Sequence, residues 1–175
     1  MMTALYIVGG IVALILLLMI IAPKKYDVSR SISINKPKDE VFQYVRSLEK
    51  MANWSPWDEK DPNMDKKFTG TDGEVGSVSY WNGNKEVGEG EQELTKIVRG
   101  ERIEAELRFF KPFKAESDCY FDFKGDHKST DLTWGFSGKH KPVASIFMMF
   151  MGSMDKAVGG DFEKGLAKLK GILEG

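Results

Sequence analysis

The sequence predicts an α+β fold in which one curved antiparallel sheet wraps around a long C-terminal helix, with one transmembrane helix before it. Three patterns predict this fold. Residues 4–22 form an uncharged apolar run, residues 66–141 alternate between apolar and polar side chains, and residues 142–173 carry apolar side chains at helical intervals. The composition is that of an ordered protein, because 42% of the 175 residues are hydrophobic and 29% are charged.

The first pattern, ALYIVGGIVALILLLMIIA at residues 4–22, predicts a membrane anchor. A helix of about 20 residues rises about 30 Å, which matches the hydrocarbon core of a bilayer. A cleaved signal peptide is the alternative, but it needs a basic start, a shorter apolar stretch and a small-residue cleavage site. Lys24 and Lys25 follow the run, so the positive-inside rule places the following domain in the cytoplasm. We therefore expect a single-pass protein of the cell membrane, with an anchor and basic flank at 1–25 and a folded domain at 26–175.

The domain is predicted to begin with a strand and a helix. Residues 26–34 alternate strictly, which is typical of a strand packed on one face, and Arg30 falls on the inward face. Pro37 then begins a helix whose apolar stripe extends to Ala52. The stretch 54–63 contains two prolines and three acidic residues, so we expect a loop or a short broken helix there.

The middle of the domain is predicted to be a meander of five or six antiparallel strands, because short turns separate the alternating segments. Gly88 and Gly90 lie inside one strand with no helix after them, which favours a bend or bulge over a nucleotide-binding loop. A twisted sheet must cover its apolar face, and only the last helix is long enough to do so. The predicted strands include 76–81, 87–98, 103–109, 115–123 and 132–136.

Charge and residue counts argue against several classes of function. A formal net charge of −1 gives no field for gathering nucleic acid. One cysteine and two histidines show no zinc-ligand spacing, and no Ser-His-acid or paired-carboxylate arrangement follows from the sequence. The cysteine, Cys119, alternates with charged residues among inward phenylalanines and is predicted to be a buried apolar residue. We therefore expect no catalytic residue, no metal, no cofactor and no nucleic-acid partner.

Five short stretches occur in order across the domain: IxINKPxxxVF at 32–42, WSPW at 54–57, GSVSYW at 76–81, VGEG at 87–90 and DFEKGL at 161–166. Together they resemble the START/Bet v 1-like (SRPBCC) superfamily, and more specifically its membrane-anchored polyketide cyclase/dehydrase or lipid-transport-like proteins. The resemblance implies a helix-grip fold with a deep cavity between the sheet and the last helix. It implies no particular reaction, because this superfamily contains carriers, cyclases, co-chaperones and hormone sensors.

The implied cavity would have a largely aromatic wall, which suits an elongated apolar ligand, although such residues are also ordinary core. Arg30 either pairs with an acidic residue or binds a carboxylate or phosphate head group. Residues 143–151 are apolar on every side, so they are either buried by loops or form a gate that touches lipid. The candidate ligand-binding residues are Arg30, Trp54, Trp57, Tyr80, Trp81, Leu107, Phe109, Phe121, Phe123, Trp134, Phe147 and Met151.

The function favoured by the sequence is that of a membrane-tethered module that binds or transfers a hydrophobic small molecule, either a lipid or an isoprenoid-like compound. Its expected partners are that molecule and, through residues 4–22, the membrane. Two alternatives stay open: a cyclase or dehydratase acting on a polyketide-like substrate, and a co-chaperone-like module that binds a protein. The lack of a recognisable acid–base constellation favours binding over catalysis.

Overall fold

The computed structural model describes residues 2–22, 24–139 and 154–175, without the side chains of residues 2–5, 7, 8, 11 and 12. Two predictions lie outside these residues: the gate at 143–151, with Phe147 and Met151, and the start of the last helix at residue 142. The elements are α1 (Met2–Ile21), β1 (Lys25–Ile34), α2 (Lys38–Val45), α3 (Leu48–Met51), α4 (Pro56–Lys60), β2 (Asp65–Thr69), β3 (Val78–Asn82), β4 (Glu89–Val98), β5 (Arg102–Lys111), β6 (Ala115–Gly125), β7 (Thr130–Lys139) and α5 (Met154–Glu174).

Seven strands of the described chain form one antiparallel sheet in the order β1-β7-β6-β5-β4-β3-β2. Together with α5, this sheet confirms the predicted α+β helix-grip architecture. The short edge strand β2, DKKFT, matches none of the individually predicted strands, because it is too polar to show an apolar row. A register shift between Glu89 and Gly90 confirms the predicted bulge in β4.

The continuous helix predicted after Pro37 is wrong, because the chain breaks between α2 and α3. Arg46 is the C-cap of the first segment, and Ser47 caps the second, accepting a hydrogen bond from the Lys50 amide at 3.1 Å. The Asp72 carboxylate, from a loop distant in sequence, accepts the Leu48 amide at 2.8 Å. These caps satisfy the free amides at the start of α3, so a new helix begins without loss of hydrogen bonding. The predicted apolar stripe still faces inward, with Val45 and Leu48 buried.

Helix α5 lies across the concave face of the sheet and closes the core. Phe162 and Leu166 are among its buried residues, and the Phe162 ring stacks on Trp134 of β7 with centroids 4.3 Å apart. Gly165 brings the two elements close together, because a Cβ at this position would lie 2.9 Å from the Trp134 ring and 3.1 Å from Pro56. This close approach fixes the height of α5 above one half of the sheet.

Helix α1 precedes the domain and contains no charged residue. Most of its described large apolar side chains are exposed, whereas Leu18 and Met19 are half-buried. The exposed ones are Tyr6, Leu14, Ile15, Leu16, Leu17, Ile20 and Ile21. Among the described residues, no helix is found that could span a membrane.

Candidate ligand-binding cavity

A cavity of about 1200 Å³ lies between the concave face of the sheet and α5. Sites that hold drug-sized ligands commonly have volumes of about 300–1000 Å³, so this cavity has room for a larger molecule. Residues from all seven strands form one wall, and α3, α4 and α5 contribute the other.

Aromatic rings form two separate parts of the cavity wall. Trp134 lies between Trp57, whose ring centroid is 5.8 Å away, and Phe162 of α5. On the far strands, Trp81 of β3 packs edge-on against Phe109 of β5 at 6.0 Å. Gly90 of β4 makes room for this second pair, because a Cβ there would lie 2.7 Å from the Trp81 ring. The glycine that marks the bulge in β4 therefore also positions an aromatic side chain of the cavity.

Of the ten candidate residues that the structure describes, five line the cavity: Trp57, Trp81, Leu107, Phe109 and Trp134. Three others, Trp54, Phe121 and Phe123, lie in the solid core. Trp54 packs on Phe121 with ring centroids 6.1 Å apart, and Phe42 of α2 packs on Phe123 at 5.1 Å. These rings fill the half of the sheet beneath α2, so the cavity ends before it reaches Phe121.

Arg30 faces α5, where it pairs with two acids instead of lining the cavity. Its Nη1 donates to Asp155 Oδ1 at 2.7 Å and its Nε donates to Glu163 Oε1 at 2.6 Å. The guanidinium holds the pKa of Asp155 below its ordinary value. This geometry corresponds to the first sequence-based alternative, an ion pair that joins β1 to the last helix. The guanidinium also lies over Gly159, where a Cβ would clash with Nη2 at 2.2 Å.

Tyr80 lies on the opposite face of β3 from Ser79 and Trp81, which both line the cavity. Its hydroxyl donates to Glu89 Oε1 at 2.8 Å, and this hydrogen bond raises the pKa of Tyr80. The interaction lies on the outer surface of the sheet, away from the cavity.

The polar groups of the cavity were not predicted from the sequence as part of the site. The hydroxyls of Tyr26 and Ser117 share a hydrogen bond of 2.6 Å, and burial raises the pKa of Tyr26. Gln92 is 94% buried, since its relative exposure is 6%, and its Nε2 has no partner among the described residues. The alternation of β4 contains the signal for Gln92: if Glu91 and Glu93 face solvent, the residue between them faces inward.

The Cys119 thiol and the Asp58 carboxylate line the cavity, but neither is in a reactive form. Burial raises the pKa of the Cys119 thiol to about 12, so it is not a thiolate at neutral pH. Asp58 and Lys66 lie against the cavity but pair with each other. Among the described residues, no cluster of three histidine, cysteine, aspartate or glutamate side chains could hold a metal ion.

A seven-stranded antiparallel sheet wrapped around a C-terminal helix, with a large apolar cavity between them, defines the Bet v 1-like (SRPBCC) class of proteins. Residues 25–174 match the family described as polyketide cyclase/dehydrase and lipid transport, and the chain belongs to this family. No curated protein matches the sequence.

Solved structures share this fold at low sequence identity. A Chromobacterium violaceum protein superposes with a TM-score of 0.57 at 14% identity, over 85% of this chain and 97% of its own. DynU16, from the dynemicin biosynthetic locus, gives 0.55 at 18% identity, over 85% of this chain and 47% of its own. The Aha1 dimer from Colwellia psychrerythraea gives 0.51 at 15% identity, over 83% and 93% of the two chains. At these identities the likeness shows a common fold.

Proposed function

We propose that this protein binds a hydrophobic small molecule, such as a lipid or an isoprenoid-like compound, in the cavity between the sheet and α5. The observation that carries the proposal is the cavity of about 1200 Å³ with aromatic residues such as Trp57, Trp81 and Phe109 on its walls. A folded core is normally packed to crystal-like density, so a space of this size and composition is suited to a ligand. Membership of a family described by cyclase, dehydrase and lipid-transport functions supports the same class of ligand.

Binding is favoured over catalysis by the chemistry of the wall. The described lining contains no histidine, its cysteine is protonated, and its half-buried carboxylate, Asp58, is neutralised by Lys66. General acid–base catalysis needs a group that exchanges a proton near neutral pH. The cyclase or dehydratase function stays the second candidate, because Tyr26, Ser117 and Gln92 are polar groups that would orient a reactive substrate. Release of the bound compound unchanged favours the first candidate, and release of a converted product favours the second.

The proposal includes a membrane tether for the domain. It rests on the sequence of residues 4–22, which is an uncharged apolar run of 19 residues, and on the exposed apolar side chains of α1. Exposed apolar surface of this extent needs lipid or protein to cover it. With Lys24 and Lys25 after the run, the domain would lie on the cytoplasmic side.

Binding of a neutral fluorescent probe, 1-aminoanthracene, to the full chain in lipid nanodiscs tests the cavity. Leu107→Trp combined with Val158→Trp places indoles into the cavity from the sheet and from α5, because both residues line it. We expect this double variant to bind the probe at least about tenfold more weakly. Lys96→Trp with Lys164→Trp is the matched control, since both lysines are exposed. Equal probe affinity in both double variants would contradict binding in the cavity.

Carbonate extraction of cell membranes tests the tether. The full chain should stay with the membranes, whereas Leu14→Arg with Leu17→Arg should shift it to the supernatant, because two charges at mid-helix oppose insertion. Protease added to intact cells should leave the domain uncut. Extraction of the unaltered chain by carbonate would contradict the anchor, and digestion in intact cells would reverse the topology.

A further inference from the structure

A row of polar side chains crosses the cavity at one level of the sheet. Ser79 of β3 pairs in register with Gln92 of β4, Gln92 pairs with Leu107 of β5, and Leu107 pairs with Ser117 of β6. All four line the cavity. Tyr26 of β1 extends the row, because its hydroxyl reaches Ser117 at 2.6 Å. The strand register therefore places three polar side chains and one phenol in line across an apolar wall.

Gly138 allows this reach from β1 to β6. It pairs in register with Tyr26 on the intervening strand β7, and a Cβ at Gly138 would lie 2.4 Å from the Tyr26 hydroxyl oxygen. The phenol thus lies directly over a position without a side chain, which a larger residue would block.

The rows on either side of this one are apolar. Towards the core, Leu94, Ala105, Cys119 and Phe136 follow one another in register across β4 to β7. Towards the hairpin that joins β5 to β6, the next row contains Gly90, Phe109 and Ala115, with Trp81 opposite Gly90. The polar row is therefore a single belt between two apolar zones of the same cavity.

Gln92 is the group in this belt that needs a partner. Its side chain is 94% buried and lines the cavity, and its Nε2 has no hydrogen-bond partner among the described residues. Burying an amide donor without a partner is costly, because the donor loses its hydrogen bonds to water and gains none in the protein. A ligand oxygen at this level would satisfy the donor, and the hydroxyl pair of Tyr26 and Ser117 lies two strands away in the same row.

The charges around the cavity lie elsewhere. Asp58 of α4 and Lys66 of β2 neutralise each other, while Lys114, Glu116 and Lys139 are exposed at or beside strand ends. The belt itself contains no charged residue. An ionised ligand group would be desolvated at this level without a counter-charge, which is far more costly than burying a neutral carbonyl that accepts a hydrogen bond.

We infer that Gln92 binds an uncharged oxygen acceptor, such as a ketone, ester or amide carbonyl, within an otherwise apolar ligand. The ligand is then an amphipathic molecule with hydrocarbon on both sides of a neutral polar group, rather than a simple hydrocarbon or a buried anion. This inference rests on the proposed function, since it assigns the ligand class of the same cavity.

Three naphthalene probes of similar size test the inference by equilibrium dialysis against the full chain in nanodiscs: 2-acetylnaphthalene, 2-ethylnaphthalene and 2-naphthoate. Gln92→Met keeps the length of the side chain and removes its hydrogen bonds. We expect Gln92→Met to weaken binding of the ketone about tenfold, the value of one hydrogen bond to a buried donor, and to leave the hydrocarbon unchanged or tighter. The naphthoate should bind the unaltered protein more weakly than the ketone. Lys96→Met, on an exposed position of the same strand, is the control.

Binding of the hydrocarbon to Gln92→Met shows that the cavity is intact in this variant. Equal loss of both neutral probes, or no loss of the ketone, would overturn the role of Gln92 while leaving the cavity as a binding site. Tighter binding of naphthoate than of the ketone would overturn the neutral ligand class. Failure of all three probes to bind the unaltered protein would instead overturn the proposed function.

Discussion

Cys119 lines the cavity, but its environment differs from that of a reactive cysteine. The residue is 3% exposed on β6 and contacts the cavity next to Trp134. Burial raises the pKa of the thiol to about 12. Desolvation disfavours the thiolate, which is the nucleophilic form, so the sulfur acts as a small apolar surface.

The expected consequence is slow alkylation of the native protein. The pKa rises from 9.0 to about 12, so the thiolate fraction at pH 8 falls roughly 1000-fold. Iodoacetamide should therefore label Cys119 at least about 1000-fold more slowly in the native chain than in urea, as read by mass spectrometry. Labelling of the native chain at the rate of the unfolded chain would mean that the thiol is ionised and accessible.

At the scale of elements, the position of α5 depends on two buried glycines and one arginine. Gly165 lies against the Trp134 ring and Pro56, and Gly159 lies beneath the Arg30 guanidinium. Gly160, on the same helix, has no atom within 4 Å of an added Cβ. An added methyl group would therefore meet packed atoms at Gly165 but open space at Gly160, five residues earlier on the same helix.

Alanine substitutions at Gly160 and Gly165 should have opposite effects on the stability of the domain. Gly160→Ala should stabilise the domain by about 0.5–1 kcal/mol, because alanine loses less backbone entropy in a helix. Gly165→Ala should destabilise it by about 1–3 kcal/mol, because the new methyl group meets packed atoms. Urea unfolding followed by circular dichroism measures both. Stabilisation by Gly165→Ala would show that α5 is not held as closely to Trp134 as the structure indicates.

The ion pair between Arg30 and Asp155 should make the stability of the fold depend on pH in the acid range. Because the folded-state pKa of Asp155 lies below its ordinary value of 3.8, the unfolded chain binds more protons as the pH falls through about 4. The stability contributed by this pair is thus present above pH 4 and is lost below it. Arg30→Met should show a smaller fall of the urea midpoint between pH 6 and pH 3 than the unaltered chain.

Lys164→Met is the control for this pH experiment, because Lys164 is an exposed cation on the same helix. It should keep the pH dependence of the unaltered chain. If Arg30→Met and Lys164→Met lose stability in parallel on acidification, the ion pair between β1 and α5 is not what the acid disrupts.

At the scale of the whole molecule, local periodicity predicted most of the architecture. The alternating rows of β1, β5, β6 and β7 and the helical spacing of α5 each report one buried face, which is a local property. The break at Ser47 was not predicted, because it depends on Asp72, a capping group distant in sequence. The ion pairs of Arg30 likewise join residues 125 and 133 positions apart.

The periodicity of the sequence did not predict which inward-facing residues border the cavity. Phe121 and Trp134 both face inward, yet only Trp134 lines the cavity. Trp54 packs against both rings, but Phe121 is enclosed within the core, whereas Trp134 also borders the cavity. An alternating pattern identifies the inward face of a strand, but it contains no information about which part of that face is filled by other elements.

Occupancy of the cavity by a hydrophobic small molecule is tested by mass spectrometry of the compounds extracted from the purified full chain. The unaltered protein and the control with Lys96→Trp and Lys164→Trp should each yield about one equivalent of the same apolar compound. The variant with Leu107→Trp and Val158→Trp should yield at most about a tenth of that amount at unchanged stability. Equal amounts from all three proteins, or no compound near stoichiometry from the unaltered chain, would contradict the account.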